Sequence, residues 1–325
     1  MEHDPKVSVI VVNYNSMPHI DVCISSILKQ DYSSFEVIFV DNASTDGSLE
    51  YARKAFPALV FIANDSNLGY ADGINSALGV VTGQYIAPTN IDAEVAPNWL
   101  SGMVSFMEAN PLAGAVSPKV LLFDQRTKVN ARGLNIHISG LGFCRMLNKE
   151  DDGSLNPERV SGISGCSYLI RREVLEQMGG APRDCFMAND DVIVSWLLNS
   201  MGYKLFCVPE AVVFHKYQLK MNPEKLFRLE KCRQTLLLSS LRTSTLVICF
   251  PVFGVIELLI LAYSMLKGKQ YVRAKFKAFT SVVADKEARK KKRLQYRSLA
   301  RISDFTLLRR LSWNLEWGQL FHIAK

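Results

Sequence analysis

No Cys-x-x-Cys pair occurs in the 325 residues, and the seven cysteines (Cys23, Cys144, Cys166, Cys185, Cys207, Cys232, Cys249) are odd in number and widely scattered. That spacing argues against a zinc site and a disulfide framework, and predicts buried thiols in a reducing cytoplasm. Internal repeats and low-complexity linkers are missing too, so the chain reads as one large domain with an appendage. Met1-Glu-His-Asp-Pro is polar and acidic, and the apolar stretch behind it is too short for a secretory leader, so none is expected. Long uncharged stretches are scarce. One stands out, residues 246–266, with a single charge at Glu257 and one proline at Pro251.

Charge is unevenly spread. Residues 267–310 hold 15 Lys/Arg against 3 Asp/Glu, whereas residues 1–266 hold 22 against 27. A slightly acidic globular part thus carries a strongly basic end, which suits anionic lipid or nucleic acid. Few aromatics interleave with the basic block, and it follows directly on the apolar run. Phospholipid headgroups are therefore favoured, and no nucleic-acid partner is expected. As a helix the apolar run would reach about 31 Å, the hydrocarbon thickness of a bilayer. Spanning would set the basic end across the membrane from the main domain, against the positive-inside tendency. A re-entrant or interfacial hairpin, with both parts on the cytoplasmic face, fits the charge better. Glu257 at mid-segment would cost on the order of a few kcal/mol in a bilayer. Trp313 and Trp317 suit a membrane interface.

Before that segment, short β-branched runs alternate with helical patterns. Strands are predicted at residues 7–13, 35–40, 59–62 and 85–88, and helices at 20–30, 49–55 and 74–81. Polar clusters follow the strands: Asn13-Tyr-Asn15, Asp41-Asn-Ala-Ser44, Asn67-Leu-Gly69 and Asn90-Ile-Asp92. The alternation predicts an α/β fold with a largely parallel sheet, whose ligands bind at the carboxyl ends of the strands. Residues 116–170 read as mixed strands and glycine-rich turns. Later come Met187-Ala-Asn-Asp190-Asp191, which opens an apolar helix over residues 192–200, then Gly202-Tyr203, Pro209-Glu210-Ala211 and His215-Lys216. A carboxylate fixed at a helix N-terminus inside a pocket suits a general base. Asp190 and Asp191 could equally cap that helix through its dipole, and Asp41 and Ser44 could cap theirs. A lone histidine at a strand end is commonly structural, and Trp196 reads as core.

In this order, Val9-Ile-Val-Val-Asn-Tyr-Asn, Val40-Asp-Asn-Ala-Ser-Thr-Asp-Gly-Ser, Asn67-Leu-Gly-Tyr-Ala, Asn90-Ile-Asp, Gly165-Cys-Ser-Tyr-Leu-Ile-Arg-Arg and Asp190-Asp-Val resemble the motifs of glycosyltransferase family 2. The likeness covers roughly residues 6–240 and is nearest to the rhamnosyltransferase-like branch. It implies a GT-A (Rossmann-like) fold and an inverting transferase using a nucleoside diphosphate sugar. Asp41 would then take the base edge and Asn13 and Asn15 the ribose or base. Asn67, Gly69, Asn90 and Arg171 would be further substrate contacts, Arg171 reaching phosphate or packing at the domain edge. Asp92 would hold Mg²⁺ or Mn²⁺ across the two phosphates, with His215 as a further ligand. Asn90 stands where a stricter motif has a first acid, leaving one carboxylate there. Asp191 would be the catalytic base, worth roughly 10²–10⁴-fold in rate, and Asp190 would orient the acceptor or Asp191.

The sequence reading is thus a GT-A catalytic domain over residues 1–240 and a membrane-associated, helical and basic region over 241–325. The acceptor would be a lipid-linked or cell-surface glycan, met at the cytoplasmic side of the cell membrane. The competing reading is an inactive, membrane-anchored protein that binds sugar nucleotides.

Overall fold

The computed structural model describes residues 6–183, 189–217 and 221–322 of the chain. Residues 1–5, Cys185, and Met187 and Ala188 of the acidic motif lie outside the described residues. Strand β1 (Val7–Asn13) is buried along its whole length. Val7, Val9 and Val11 enter one hydrophobic core, while Ile10 and Val12 enter a second on the opposite face of the sheet. A strand covered on both faces has no polar alternation, which is why this segment reads as an unbroken apolar run.

The elements continue as α1 (Ile20–Ile27), β2 (Phe35–Asp41), α2 (Ser48–Ala55), β3 (Val60–Ala63), α3 (Tyr70–Ala77), β4 (Tyr85–Asn90), β5 (Ala93–Val95) and α4 (Trp99–Ala109). Next are β6 (Ala113–Leu122), β7 (Gln125–Ala131), β8 (Leu134–Ile136), β9 (Gly142–Cys144), β10 (Glu158–Val160), β11 (Leu169–Arg171), α5 (Arg172–Gln177), α6 (Asp190–Ser200) and β12 (Lys204–His215). The main sheet has the order β10-β12-β6-β11-β4-β1-β2-β3, with β5 on β12 and β7 on β6. From β3 to β4 the pairing is parallel, as expected. Beyond β4 it is mixed: β6 and β12 run parallel, whereas β11 runs antiparallel to both β4 and β6, and β5, β7 and β10 are antiparallel to the strands they border. The sheet is thus parallel over β3-β2-β1-β4 and β6-β12, with antiparallel strands inserted between and beside them. The short connections of residues 116–170 cannot supply the long crossovers that parallel neighbours need.

The remaining helices are α7 (Pro223–Ser240), α8 (Thr243–Ile248), α9 (Phe250–Lys267), α10 (Lys269–Ala284), α11 (Lys286–Leu299), α12 (Asp304–Arg310) and α13 (Trp317–His322). The apolar run is not one helix. α8 stops at Ile248, and Pro251 sits in the first turn of α9, where a ring without an N–H cannot continue the preceding helix. α9 keeps 18 residues with a mean hydropathy of 1.7, only 11% of them buried.

Glu257 of α9 is paired rather than isolated. It accepts from Arg233 of α7 and Lys275 of α10. Glu230 of α7 closes the square, 2.7 Å from Arg233 and 2.5 Å from Lys275. Burial opposes ionisation of Glu230, yet these two cations hold it down to about 2. Arg233 also donates to the Ser139 carbonyl, 3.2 Å away, tying the square to the catalytic fold. Outside this square many apolar side chains of the layer face outward, interspersed on α10 with the exposed Lys269, Arg273 and Lys277. Val247, Ile248, Phe250, Leu258, Leu266, Phe276 and Phe279 are all exposed.

The C-terminal residues share the main core, since Tyr296, Leu307, Leu308 and Leu311 pack in the cluster that holds Ile10 and Ile38. Part of the basic block is spent inside the protein. Arg293 donates to the Leu238 and Leu241 carbonyls and Arg297 to that of Ser240, all at the C-terminal end of α7. Cys23, Cys144, Cys166, Cys207 and Cys249 are free thiols. Cys232 is disulfide-bonded, contrary to the expectation of thiols throughout.

Candidate active site

The carboxyl ends of β1, β2, β4 and β12 open onto a cavity of about 620 Å³, a size usual for ligand sites. Val12 and Tyr14 reach it from β1, Asn42 from the turn after β2, and Asn90 and Asp92 from the end of β4. β12 pairs with β5 in the register His215↔Ala93, which brings His215 beside Asp92. His215 Nε2 lies 3.3 Å from Asp92 Oδ1 and 3.4 Å from Asn90 Nδ2. Its Nδ1 faces Asn130 Oδ1 at 3.0 Å. An amide oxygen only accepts, so Nδ1 carries a proton and Nε2 is the atom turned toward Asp92.

Burial works against the charge on Asp92, but the hydrogen bond from His215 and its positive charge hold the carboxyl below its ordinary value. Burial likewise opposes protonation of His215, and the Cys166 sulfur and Asp92 outweigh it, pushing His215 up to about 10. Without a metal Asp92 favours the protonated imidazole, and a cation bound here would take the place of the Nε2 proton. These groups suit a divalent cation. Two donor atoms 3.3 Å apart can both stand about 2.1–2.3 Å from one ion, and Nδ1–H···O is the usual support for a metal-bound imidazole. Among the described residues no group of three or more His, Cys, Asp or Glu could form a cage. Such an ion would thus draw its remaining ligands from phosphate oxygens, the habit of Mg²⁺.

The acid pair enters from the other side. Asn189 is left-handed (φ 73°) at the N-cap, and Asp190 and Asp191 open α6. Asp191 Oδ2 accepts from the Gly165 N–H at 3.1 Å and Oδ1 from the Val192 N–H at 2.8 Å. A Cβ on Gly165 would lie 3.0 Å from the Asp191 carboxylate, so only glycine lets that backbone approach without displacing it. Burial raises the Asp191 carboxyl, and the hydrogen bonds from Val192 and Gly165 counter it. Asp190 is lifted to about 7, first by burial and then by the charge of Asp191, and its Oδ1 has no hydrogen-bond partner. Tyr70 Oη and Asn130 Nδ2 also line this cavity and lack partners. Unsatisfied buried polar atoms gathered at one cavity mark it as a ligand site.

Of the sequence-predicted residues, Asn67, Gly69, Asn90, Asp92, Asp190, Asp191 and His215 line the cavity. Asn67 Oδ1 accepts from the Gly69 N–H at 3.0 Å and Asn42 Nδ2 donates to the Gly69 carbonyl at 2.9 Å. These bonds fix a positive-φ turn (φ 82°) from which α3 starts at Tyr70, four residues before its expected start. Asn13, Asn15 and Asp41 lie just behind the lining. Asn13 and Asp41 are 0% and 1% exposed and bond each other at 2.7 Å. Asp41 Oδ2 takes the Ser44 N–H at 2.9 Å in a turn ahead of α2, whose N-cap is Gly47, so neither Asp41 nor Ser44 caps that helix. Asn15 accepts from the Thr45 N–H at 2.8 Å, lacing the first two strand-end loops together. Arg171 lies at the opposite end of β4, paired in register with Tyr85. It donates to the carbonyls of Ala113 and Met107 and to Tyr85 Oη, so it braces the sheet and does not reach the cavity. Asn42, Tyr70, Asn130, Lys225 and Gln319 also line the cavity and were not singled out from sequence.

A sheet whose strand ends gather an Asp–His pair opposite a helix-borne acid pair defines a GT-A glycosyltransferase. In keeping with this, the mannosyltransferase PcManGT from Pyrobaculum calidifontis, solved with GDP-Man and Mn²⁺, superposes over 99% of this chain and 86% of its own (TM-score 0.56, 21% identity). The family described as Glycosyl transferase family 2 matches residues 8–179. The chain belongs to glycosyltransferase family 2. An uncharacterized glycosyltransferase of Haemophilus influenzae is 38% identical over 113 residues, 34% of this chain and 35% of that protein. The N-acetylglucosaminyl-diphospho-decaprenol L-rhamnosyltransferase of Mycobacterium tuberculosis is 25% identical over 230 residues, 64% of this chain and 75% of that protein.

Proposed function

We propose that this chain is an inverting, metal-assisted glycosyltransferase. It moves a sugar from a nucleoside diphosphate donor to a hydroxyl of a lipid-linked or cell-surface glycan, at the cytoplasmic face of the cell membrane. The observation that carries the chemistry is the placement of Asp191 at the cavity with both oxygens fixed by backbone N–H groups. Inversion is one displacement. The acceptor hydroxyl attacks the anomeric carbon opposite the departing diphosphate, and Asp191 takes the hydroxyl proton. Asp190, lifted to about 7, stays partly protonated at neutral pH and can donate a hydrogen bond to the acceptor. Asp92 and His215 would hold a Mg²⁺ or Mn²⁺ ion, which when bound neutralises charge on the diphosphate leaving group. Asn42, Asn67 and Gly69 border the cavity beside β1 and β2 and suit the donor's nucleoside. Asn13, Asn15 and Asp41 support that wall from behind.

The lipid-linked acceptor is supported by the name of the mycobacterial relative and by the outward-facing apolar layer. Its geometry favours lying on the membrane over crossing it. A spanning α9 would carry Glu257 to the bilayer centre together with Arg233, which belongs to a helix packed on the catalytic core.

The test is nucleoside diphosphate release from UDP-, GDP- and dTDP-sugars by the detergent-solubilised protein with Mg²⁺ or Mn²⁺, beside Asp191→Asn. One donor should turn over, and the variant should lose about 10²–10⁴ in rate while keeping donor binding. Binding without turnover in wild type would favour an inactive sugar-nucleotide-binding protein, and no binding at all would remove the donor assignment.

A further inference from the structure

Asp92, Asp190 and Asp191 line the cavity, and among the described residues the lining includes a single lysine or arginine, Lys225. It stands in the first turn of α7, half-buried. Among the described residues its ammonium has no hydrogen-bonding or ionic partner. Burial alone acts on it, lowering it from the ordinary lysine value, and none of the three carboxylates contributes. The ammonium is bonded to none of the acids assigned to the donor and the base: Asp92 pairs with His215, and Asp191 with the Val192 and Gly165 N–H groups. A half-buried ammonium on a cavity wall, with no carboxylate bonded to it, is free to meet an anionic ligand.

Its surroundings describe the rest of that ligand. Met221 and Leu229, four residues before and after Lys225, line the same cavity. Met221 also packs in the cluster containing Ile256 and Ile260 of α9, and its carbonyl accepts from Tyr271 Oη of α10 at 3.0 Å. This wall of the cavity is thus made by the helices whose outer faces are apolar. We infer that Lys225 binds the phosphate or diphosphate that joins the acceptor's sugar to its lipid, with Met221 and Leu229 against the first carbons of the chain. This rests on the lipid-linked acceptor proposed above, and it gives the donor and acceptor phosphates separate sites.

Binding of geranyl diphosphate and of geraniol to the full chain, measured by calorimetry for wild type, Lys225→Met and Lys225→Arg, tests the site without any turnover. Wild type should bind the diphosphate about tenfold or more tightly than the alcohol, the usual worth of a charge-assisted contact. Lys225→Met should lose that preference and Lys225→Arg keep most of it, with UDP, GDP and dTDP binding in Mg²⁺ unchanged. Melting of Lys225→Met should be unchanged or higher, because no partner is stranded. Equal affinities in wild type, or an unaltered preference in Lys225→Met, would overturn the assignment. Loss of nucleoside diphosphate binding in Lys225→Met would move the cation to the donor and also overturn it. A wild type that prefers geranyl diphosphate yet transfers no sugar would leave this site standing while the transferase reading fell.

Discussion

The strand-end cavity and the C-terminal helical layer handle charge in opposite ways. In the cavity, the buried Asp190 Oδ1, Tyr70 Oη and Asn130 Nδ2 are left without partners, and the half-buried Lys225 ammonium has none among the described residues. In the layer, Glu230, Arg233, Glu257 and Lys275 satisfy one another, and apolar side chains face outward. The first arrangement gives up stability to meet a polar ligand. The second holds three helices together by an inner ionic knot and presents an oily exterior, the reverse of a water-facing helix. Under the proposed function the two regions would meet different surroundings: a sugar nucleotide in water for one, a lipid surface for the other.

Breaking the knot should have the largest effect on stability. Arg233→Met leaves two carboxylates, one of them enclosed, to share Lys275 alone, and should cost about 3–5 kcal/mol in denaturant unfolding. A loss below 1 kcal/mol would mean that the square is incidental. In the cavity, Gly165→Ala should displace Asp191 and lower kcat roughly ten- to a hundredfold with little change in donor affinity. An unchanged kcat would detach Asp191 from the reaction. On the outer face, Leu258→Glu with Phe279→Glu should weaken binding to vesicles containing anionic lipid roughly tenfold, leaving activity on a water-soluble acceptor intact. Equal vesicle binding would remove the membrane face.

The smallest effect is a pH dependence. The folded Asp190 carboxyl, at about 7, holds its proton more tightly than in the unfolded chain, where the value is about 4. Its cost to stability is therefore absent below pH 4 and grows until the pH passes 7. Asp190→Asn should raise the melting temperature at pH 8 and leave it unchanged at pH 4. A variant that melts alike at both would show that Asp190 is not strained.

Strand positions and the polar clusters behind them were legible because a strand buried on both faces leaves an unmistakable apolar run, and its end must be polar. What those polar residues bond to was not. Asn13 and Asp41 are register partners on neighbouring strands and spend their hydrogen bonds on each other, a pairing that no local pattern records. Arg171 lies in a recognisable motif, yet β11 runs antiparallel and carries it away from the cavity. Glu257 read as a burden inside an apolar run because its partners are 18 and 24 residues away. Lys225 and Gln319 reach the cavity from helices with no motif at all. Asn42 was the recoverable omission, one residue beyond Asp41 in the same cluster.

The central claim is that Asp191 drives a single displacement from a nucleoside diphosphate sugar. Proton NMR of the first product formed by wild-type protein, taken before any anomeric equilibration, reads this directly. The account predicts an anomeric configuration opposite to that of the donor. Retention would require two displacements through a covalent intermediate and would contradict the role given to Asp191.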